Sequence, residues 1–473
     1  MSIQFYILAA YFVLLILVGL YAKTKSKSST DFILAGRNLG VLLCTVTMLG
    51  EWLGAMSTIG TTERAYAVGF SPLWYNFATG TGMFIFAFTL ASIYRKKKVH
   101  TVAEMIESVY NKTTRLYSAF AFIIAYIILA YVQVQGAGSL IASTMNIPIC
   151  WGIIIAGVVI TIYITLGGLW SISLTNLMHT ILLYTMIIVV FIIGYVKIGG
   201  YSGLFQLLTA TKGAAVAKSY FSPFGIGFPQ VFSWLIGGIM GVFASQASIQ
   251  PVFAAKDWQT AKKSSIFTAL LIIPIGFLMS TIGMIAASGK FGVPPTAKQA
   301  LPNLLMNSNF IHPILGGLAI AGVLAAILST IAPVMFAVST IISKDIYQRF
   351  INPNVEDKKL LKMSQMFTLI TGIAVIPLAL TMKGFILDTA YISYAIRGVA
   401  AIIVLFGIYI SSIRNARAAT FTIIGGTIMA LIATIFKSYI HIDKVYMALT
   451  SGVSIYLIYV LISKLKANKK GAG

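Results

Sequence analysis

Acidic side chains are scarce in this chain, with 11 Asp and Glu against 34 Lys and Arg. Cysteine is rarer still. Cys44 and Cys150 stand apart in apolar surroundings, which excludes a CxxC pair or a Cys/His cluster and predicts neither a disulfide framework nor a zinc site. His100, His179, His312 and His441 share no metal-ligand spacing. No nucleophile elbow, phosphate loop or paired-carboxylate arrangement occurs, so no enzymatic chemistry is predicted. Charge of either sign is thin as well, at 10% of residues.

What replaces charge is hydrocarbon. The 473 residues are 58% hydrophobic with a mean hydropathy of +0.92, more apolar surface than one soluble core could hide, so the chain reads as an integral, all-α membrane protein. The net charge of +23 does not indicate a nucleic-acid partner, because the basic residues are dispersed through short loops between apolar spans.

Apolar runs of membrane-crossing length number about thirteen: 4–22, 40–66, 70–94, 116–141, 148–166, 174–199, 228–252, 264–287, 312–342, 362–382, 386–410, 418–438 and 445–463, here spans 1 to 13. Span 1 lacks a basic lead and a small-residue cleavage site, so it reads as retained rather than as a signal peptide. An odd count puts the termini on opposite sides. With the N-terminus outside, the inner loops and tail hold 24 of the 34 Lys and Arg and the outer loops eight, which places the C-terminus in the cytoplasm and the chain in the cell membrane.

Two spans look interrupted. Span 2 carries Gly50, Gly54 and Gly60 among polar residues, and span 7 carries Gly237, Gly238 and Gly241 before Ser245, Gln246 and Pro251. Unwound backbone at membrane depth survives only where it lines a cavity or buried site. Close helix packing is the plainer explanation for either glycine cluster alone. Five spans separate them, however, the offset that two inverted five-span repeats would produce, about 40–199 and 228–410. Span 1 and spans 12 and 13 (about 418–463) then lie outside the repeats of a single transporter domain, 1–473.

Span 9 sets adjacent hydroxyls in hydrocarbon. Ala326, Ser329 and Thr330 fall at i, i+3 and i+4, so a carbonyl and two hydroxyls share one helix face, a set of hard oxygens suited to an alkali cation. The alternative is that each hydroxyl bonds back to its own helix.

Five segments resemble those of the sodium:solute symporter family, in order: FILAGRNLG at 32–40, AYAVGF at 65–70, GGLWSISLTN at 167–176, Gln250 with AAKDWQTAK at 254–262, and AAILSTIAPVMFAVSTIISKDIY at 325–347. The resemblance implies a leucine-transporter-type core and a sodium ion held by the carbonyls of Gly50, Leu53 and Ala326 and the hydroxyls of Ser329 and Thr330. It implies sodium-coupled import of a small organic solute by alternating access. Where several members carry an Asp and small hydroxyl residues, this chain has Asn176, Ala332 and Pro333, so a second sodium site looks dismantled and one sodium per cycle is expected.

Glu51 departs from the family beside the ion ligands. An intramembrane acid is functional or paired, and its candidate partners are Arg397, the cation or a proton. Glu51, Trp52, Gln135, Gly241, Ser245, Gln246 and Arg397 are the candidates for solute binding or coupling, with Gln133 and Gln250 as further buried amides. Arg397 would receive a solute carboxylate if Glu51 does not neutralise it. Glu63 and Arg64 read as a surface pair at the outer end of span 2, and His179 as packed. The partners expected are lipid, sodium and a small solute, with no nucleic acid, no cofactor beyond sodium and a monomeric state. A proton-coupled permease working through Glu51 is the alternative, and a channel or sensor on the same scaffold a second one; the short tail after Ile462 leaves no room for a signalling domain.

Overall fold

The computed structural model describes residues 3–24, 28–381, 386–437 and 439–471. Lys25, Lys27 and Lys383, counted among the loop charges, and the predicted ends of spans 10 and 12 fall outside the described residues. Helices occupy every predicted span. Among the described residues, nine, together with the bent pair Val41–Trp52 and Met56–Val68, have the length and apolarity to cross a membrane. Helices at Ile3–Lys23, Leu73–Thr89 and the start of Ile149–Ile198 coincide with spans 1, 3 and 5.

Polar caps set where several spans begin. Asn111, Asp257 and Asn415 accept the backbone N–H of Thr114, Thr260 and Ala418 at the starts of spans 4, 8 and 12, which satisfies an otherwise orphaned donor in each first turn. Spans 5 and 6 are not parted by a loop, as their sequence suggested. They run as Ile149–Ile198, kinked at Gly168 with φ +60° and ψ −157°. That left-handed φ suits glycine, and a Cβ there would lie 2.6 Å from the Phe32 carbonyl oxygen.

The two interruptions are real breaks: the first includes Gly54, whereas the second lies beyond its glycines. Span 2 bends by 54° after Trp52, with Leu53 leaving the helix at φ −100°, ψ 36°. Span 7 stops at Phe243 and resumes at Gln246.

Span 4 supplies the groups that the breaks leave short. Gln133 Oε1 accepts the Ala55 N–H at 2.6 Å, and Tyr126 Oη accepts the Ala247 N–H at 3.2 Å. The two side chains are seven residues apart, two turns along one helix face. Hydroxyls close the remainder of the first break: Thr58 and Ser57 donate to the Gly54 carbonyl at 2.8 and 3.1 Å. Broken backbone is therefore kept inside protein and away from lipid.

The spans divide into a buried inner group and a more exposed outer group. In the most apolar stretches of spans 9 and 11, 83% of residues are buried, against 33% in spans 10 and 13. The basic loops gather on one face. There Arg37 donates to the Lys98 carbonyl at 2.7 Å, Arg95 to Ala255 at 2.5 Å, and the Ser29 N–H to Asp357 at 2.9 Å.

Candidate functional site

Four of the five proposed cation ligands meet where the first break touches span 9. Thr330 Oγ1 reaches across to the Gly50 carbonyl at 2.5 Å, while its bond back to Ala326 is long, at 3.4 Å. Ser329 does the reverse, bonding back to Ala326 at 2.7 Å and lying 3.5 Å from Gly50. Back-bonding thus accounts for Ser329 but not for Thr330. Leu53, the fifth, is buried at the break itself, where its carbonyl is no longer in regular helix.

Glycine is what permits this approach. A Cβ on Gly50 would lie 2.8 Å from the Ser329 carbonyl oxygen and 2.1 Å from Asn176 Nδ2. One on Gly54 would lie 2.3 Å from Thr330 Oγ1 and 2.5 Å from Gln133 Oε1. All four distances are below any real contact, so a side chain at either position would part the two spans. Asn176, from span 6, is wholly buried beside Gly50 and neither end of its amide has a hydrogen-bond partner. The cradle contains no formal charge of its own.

One residue along, the chemistry changes. Arg397 Nη1 donates to Glu51 Oε1 at 2.6 Å and to Ser245 Oγ at 2.7 Å, and Ser245 Oγ lies 2.6 Å from each Glu51 oxygen. Tyr126 Oη lies 3.1 Å from the same hydroxyl. The cluster joins both broken spans to spans 4 and 11, and each charge in it is buried. Of the three partners left open for Glu51, Arg397 is the one in contact, so the condition that left Arg397 free for a solute carboxylate is not met at Nη1. Rings enclose it: Arg397 Cζ lies 4.3 Å from the ring centre of Tyr394, 5.5 Å from Tyr126 and 5.7 Å from Trp52. Gly241 sits beneath the Tyr394 ring, which a Cβ would meet at 2.5 Å.

Two of the candidates face elsewhere. Gln135 donates to the Ala379 carbonyl of span 10 at 2.9 Å, because two residues along a helix from Gln133 it points almost the opposite way. Gln246 accepts the Val102 N–H at 2.6 Å, toward the basic-loop face. Gln250 likewise bonds the Ile33 carbonyl at 2.8 Å.

The site is closed on both sides. On the basic-loop face Arg115 pairs with Asp345 at 2.6 Å and Glu107 at 2.7 Å, and Glu107 with Arg349 at 2.5 Å. Thr101 adds a 2.7 Å bond to Asp345. In the short helix Val102–Val109, burial alone would raise the Glu104 carboxyl, but the hydrogen bonds and charge of His100 outweigh it and hold the group at about 2. On the opposite face Glu63 is buried and accepts the Ile386 N–H at 3.0 Å, while Arg64 reaches Asp388 at 3.7 Å. The surface pair read from Glu63 and Arg64 does not form; each is instead tied to the start of span 11.

Sequence reasoning passed over Tyr126, Tyr394 and the placement of Gln133 at the break. Only Gln133 carried a signal, an amide at membrane depth; aromatic rings in apolar helices are too common to stand out. His179 is packed as expected, sharing a hydrogen bond with Tyr11.

A match to the sodium:solute symporter family covers residues 32–426. The chain is 22% identical to the sodium/proline symporter of Staphylococcus aureus over 99% of this chain and 94% of that one. It is 22% identical to an osmoregulated proline transporter of Bacillus subtilis, over 84% and 81%. It is 25% identical to a sodium/glucose cotransporter of Vibrio parahaemolyticus, over 77% and 72%. Among solved structures, a Na+-coupled sialic acid symporter superposes with a TM-score of 0.83 at 18% identity over 98% of both chains. That likeness establishes the leucine-transporter-type fold.

Proposed function

We propose, from the premise that this chain belongs to the sodium:solute symporter family and is a multi-pass, sodium-coupled symporter of a small solute rather than an enzyme, that the coupling ion sits between the first break and span 9. Its ligands would be the carbonyls of Gly50, Leu53 and Ala326 and the hydroxyls of Ser329 and Thr330. The observation that carries this reading is the Thr330 hydroxyl, which spans the gap to Gly50 instead of closing onto its own helix. An ion there replaces those hydrogen bonds with coordination from the same oxygens, and so pins span 9 to span 2.

The solute would bind against Glu51, Trp52, Gly241, Ser245 and Arg397; Gln135 and Gln246 are left out because they bond away from this cluster. Ion and solute then share span 2 within one residue. Occupancy of one site preorganises the other, and linkage makes the coupling reciprocal. Ties on both faces support an occluded arrangement, from which opening either face gives alternating access.

One sodium per cycle is favoured because Ala332 and Pro333 offer no hydroxyl and Asn176 no charge. The cell membrane with the N-terminus outside fits the gathering of the basic loops on one face, and a monomeric state fits two sites whose residues all come from one chain. The proton-coupled alternative is weakened by the Arg397 and Ser245 contacts that hold Glu51 as part of a neutral cluster. Uptake into proteoliposomes tests both. Accumulation driven by sodium in the native chain and lost in Thr330→Val supports the sodium reading, and uptake in sodium-free buffer driven by a pH gradient would refute it.

A further inference from the structure

Arg397 is only half used. Both N–H bonds of Nη1 are taken by Glu51 and Ser245, while Nε and Nη2 have no hydrogen-bond partner although the side chain is fully buried. Those two nitrogens form one edge of the guanidinium, the fork that matches the two oxygens of a carboxylate. The Trp52 indole N–H, from the residue next to Glu51, is buried without an acceptor too. Leaving charged donors unpaired in a membrane core is costly. Every unsatisfied atom in this group is a donor, so what is missing is an acceptor-rich partner.

Charge narrows the partner further. Glu51 and Arg397 cancel each other, and one sodium in the neighbouring cradle leaves the closed core with a single positive charge. A monoanion brings the sum to zero. A dianion would invert it, and the ammonium of a zwitterion would meet only free donors and aromatic rings at this edge of the guanidinium. The walls available to the rest of the molecule are the rings of Trp52, Tyr126 and Tyr394, which suit an apolar body rather than one carrying many hydroxyls.

We infer that the solute is a small monocarboxylate with an apolar body, received by the Nε/Nη2 fork of Arg397 and carried with one sodium without net charge movement. The inference rests on the sodium reading above, and it deepens the solute site rather than adding a second one. Glu51 is in it a positioning residue, since it fixes the guanidinium so that the free edge faces the solute.

The test uses the full chain, purified and in proteoliposomes, with acetate, propionate, butyrate and benzoate as probes, each beside its primary amide. At least one acid should raise the melting temperature in sodium and its amide should not. The same acid should enter in a sodium-dependent manner with no accompanying current. Arg397→Lys keeps the charge and the partner for Glu51 but removes the fork, and should weaken the acid about tenfold or more. Glu51→Gln, which removes the carboxylate that holds the guanidinium in place, should weaken it as well, and by less than Arg397→Lys.

Equal responses to acid and amide, one charge moved per solute, or no response to any acid in protein that sodium stabilises would overturn the inference. Undiminished acid binding in Arg397→Lys would overturn it too. Acid binding that survives while sodium has no effect would instead fault the cradle at Thr330 and sustain the carboxylate assignment.

Discussion

Two neighbouring regions of span 2 solve the burial of charge in opposite ways. Around Gly50 and Thr330 everything is neutral, oxygens of backbone and hydroxyl brought together by the absence of side chains. Around Glu51 and Arg397, a residue away, formal charges cancel in place and hydrogen bonds complete them. The first arrangement tolerates a vacancy, because its dipoles can bond one another when no cation is present. The second does not, since removing either partner strands a charge. An exchangeable ion belongs in the first, and a fixed framework that a solute joins belongs in the second.

That contrast breaks most severely at Arg397. Arg397→Ala should destabilise the protein by about 3–5 kcal/mol by leaving Glu51 unpaired, visible as a large fall in melting temperature, whereas Thr330→Val should leave the fold near native stability. A similar loss in both would erase the distinction. Gly54→Ala comes next, at about 1–3 kcal/mol with loss of the sodium response, because its Cβ would occupy the space of Thr330 Oγ1. Gln133→Leu strands the Ala55 N–H and should cost about 1–3 kcal/mol by thermal melting and weaken the sodium response, whereas Gln135→Leu, which frees the Ala379 carbonyl on the opposite face of the helix, should leave the sodium response unchanged.

Far from both regions, Glu104 should show the smallest effect. Its carboxyl is held at about 2, below the ordinary 4.5, so the folded state favours the ionised form. The stability this confers is complete above 4.5 and is lost as pH falls toward about 2. Glu104→Gln should therefore melt lower than the native chain at neutral pH and converge with it in strong acid.

Much of this was legible from residue types alone. The glycines and polar residues of spans 2 and 7 announced discontinuity, and the spacing of Ala326, Ser329 and Thr330 announced a shared oxygen face. The exact positions of the breaks were not legible. They fall at residues 53–55 and 244–245, where side chains from span 4 can serve the freed backbone, and that depends on a helix remote in sequence. Gln133, Gln135 and Gln246 looked equivalent as buried amides, yet only contact partners decide that one serves the break, another spans 10 and 4, and the third the basic-loop face. Glu63 misled for a related reason. Its partner is a backbone N–H at the start of span 11, and no charge pattern reveals a backbone donor.

Equilibrium binding of radiolabelled sodium to the purified protein, native beside Thr330→Val, examines the cradle without needing to know the solute. Saturation at one ion per chain in the native protein, with binding weakened at least about tenfold in the variant, a loss of 1.4 kcal/mol or more, is the result predicted. Equal binding by the two proteins would contradict it.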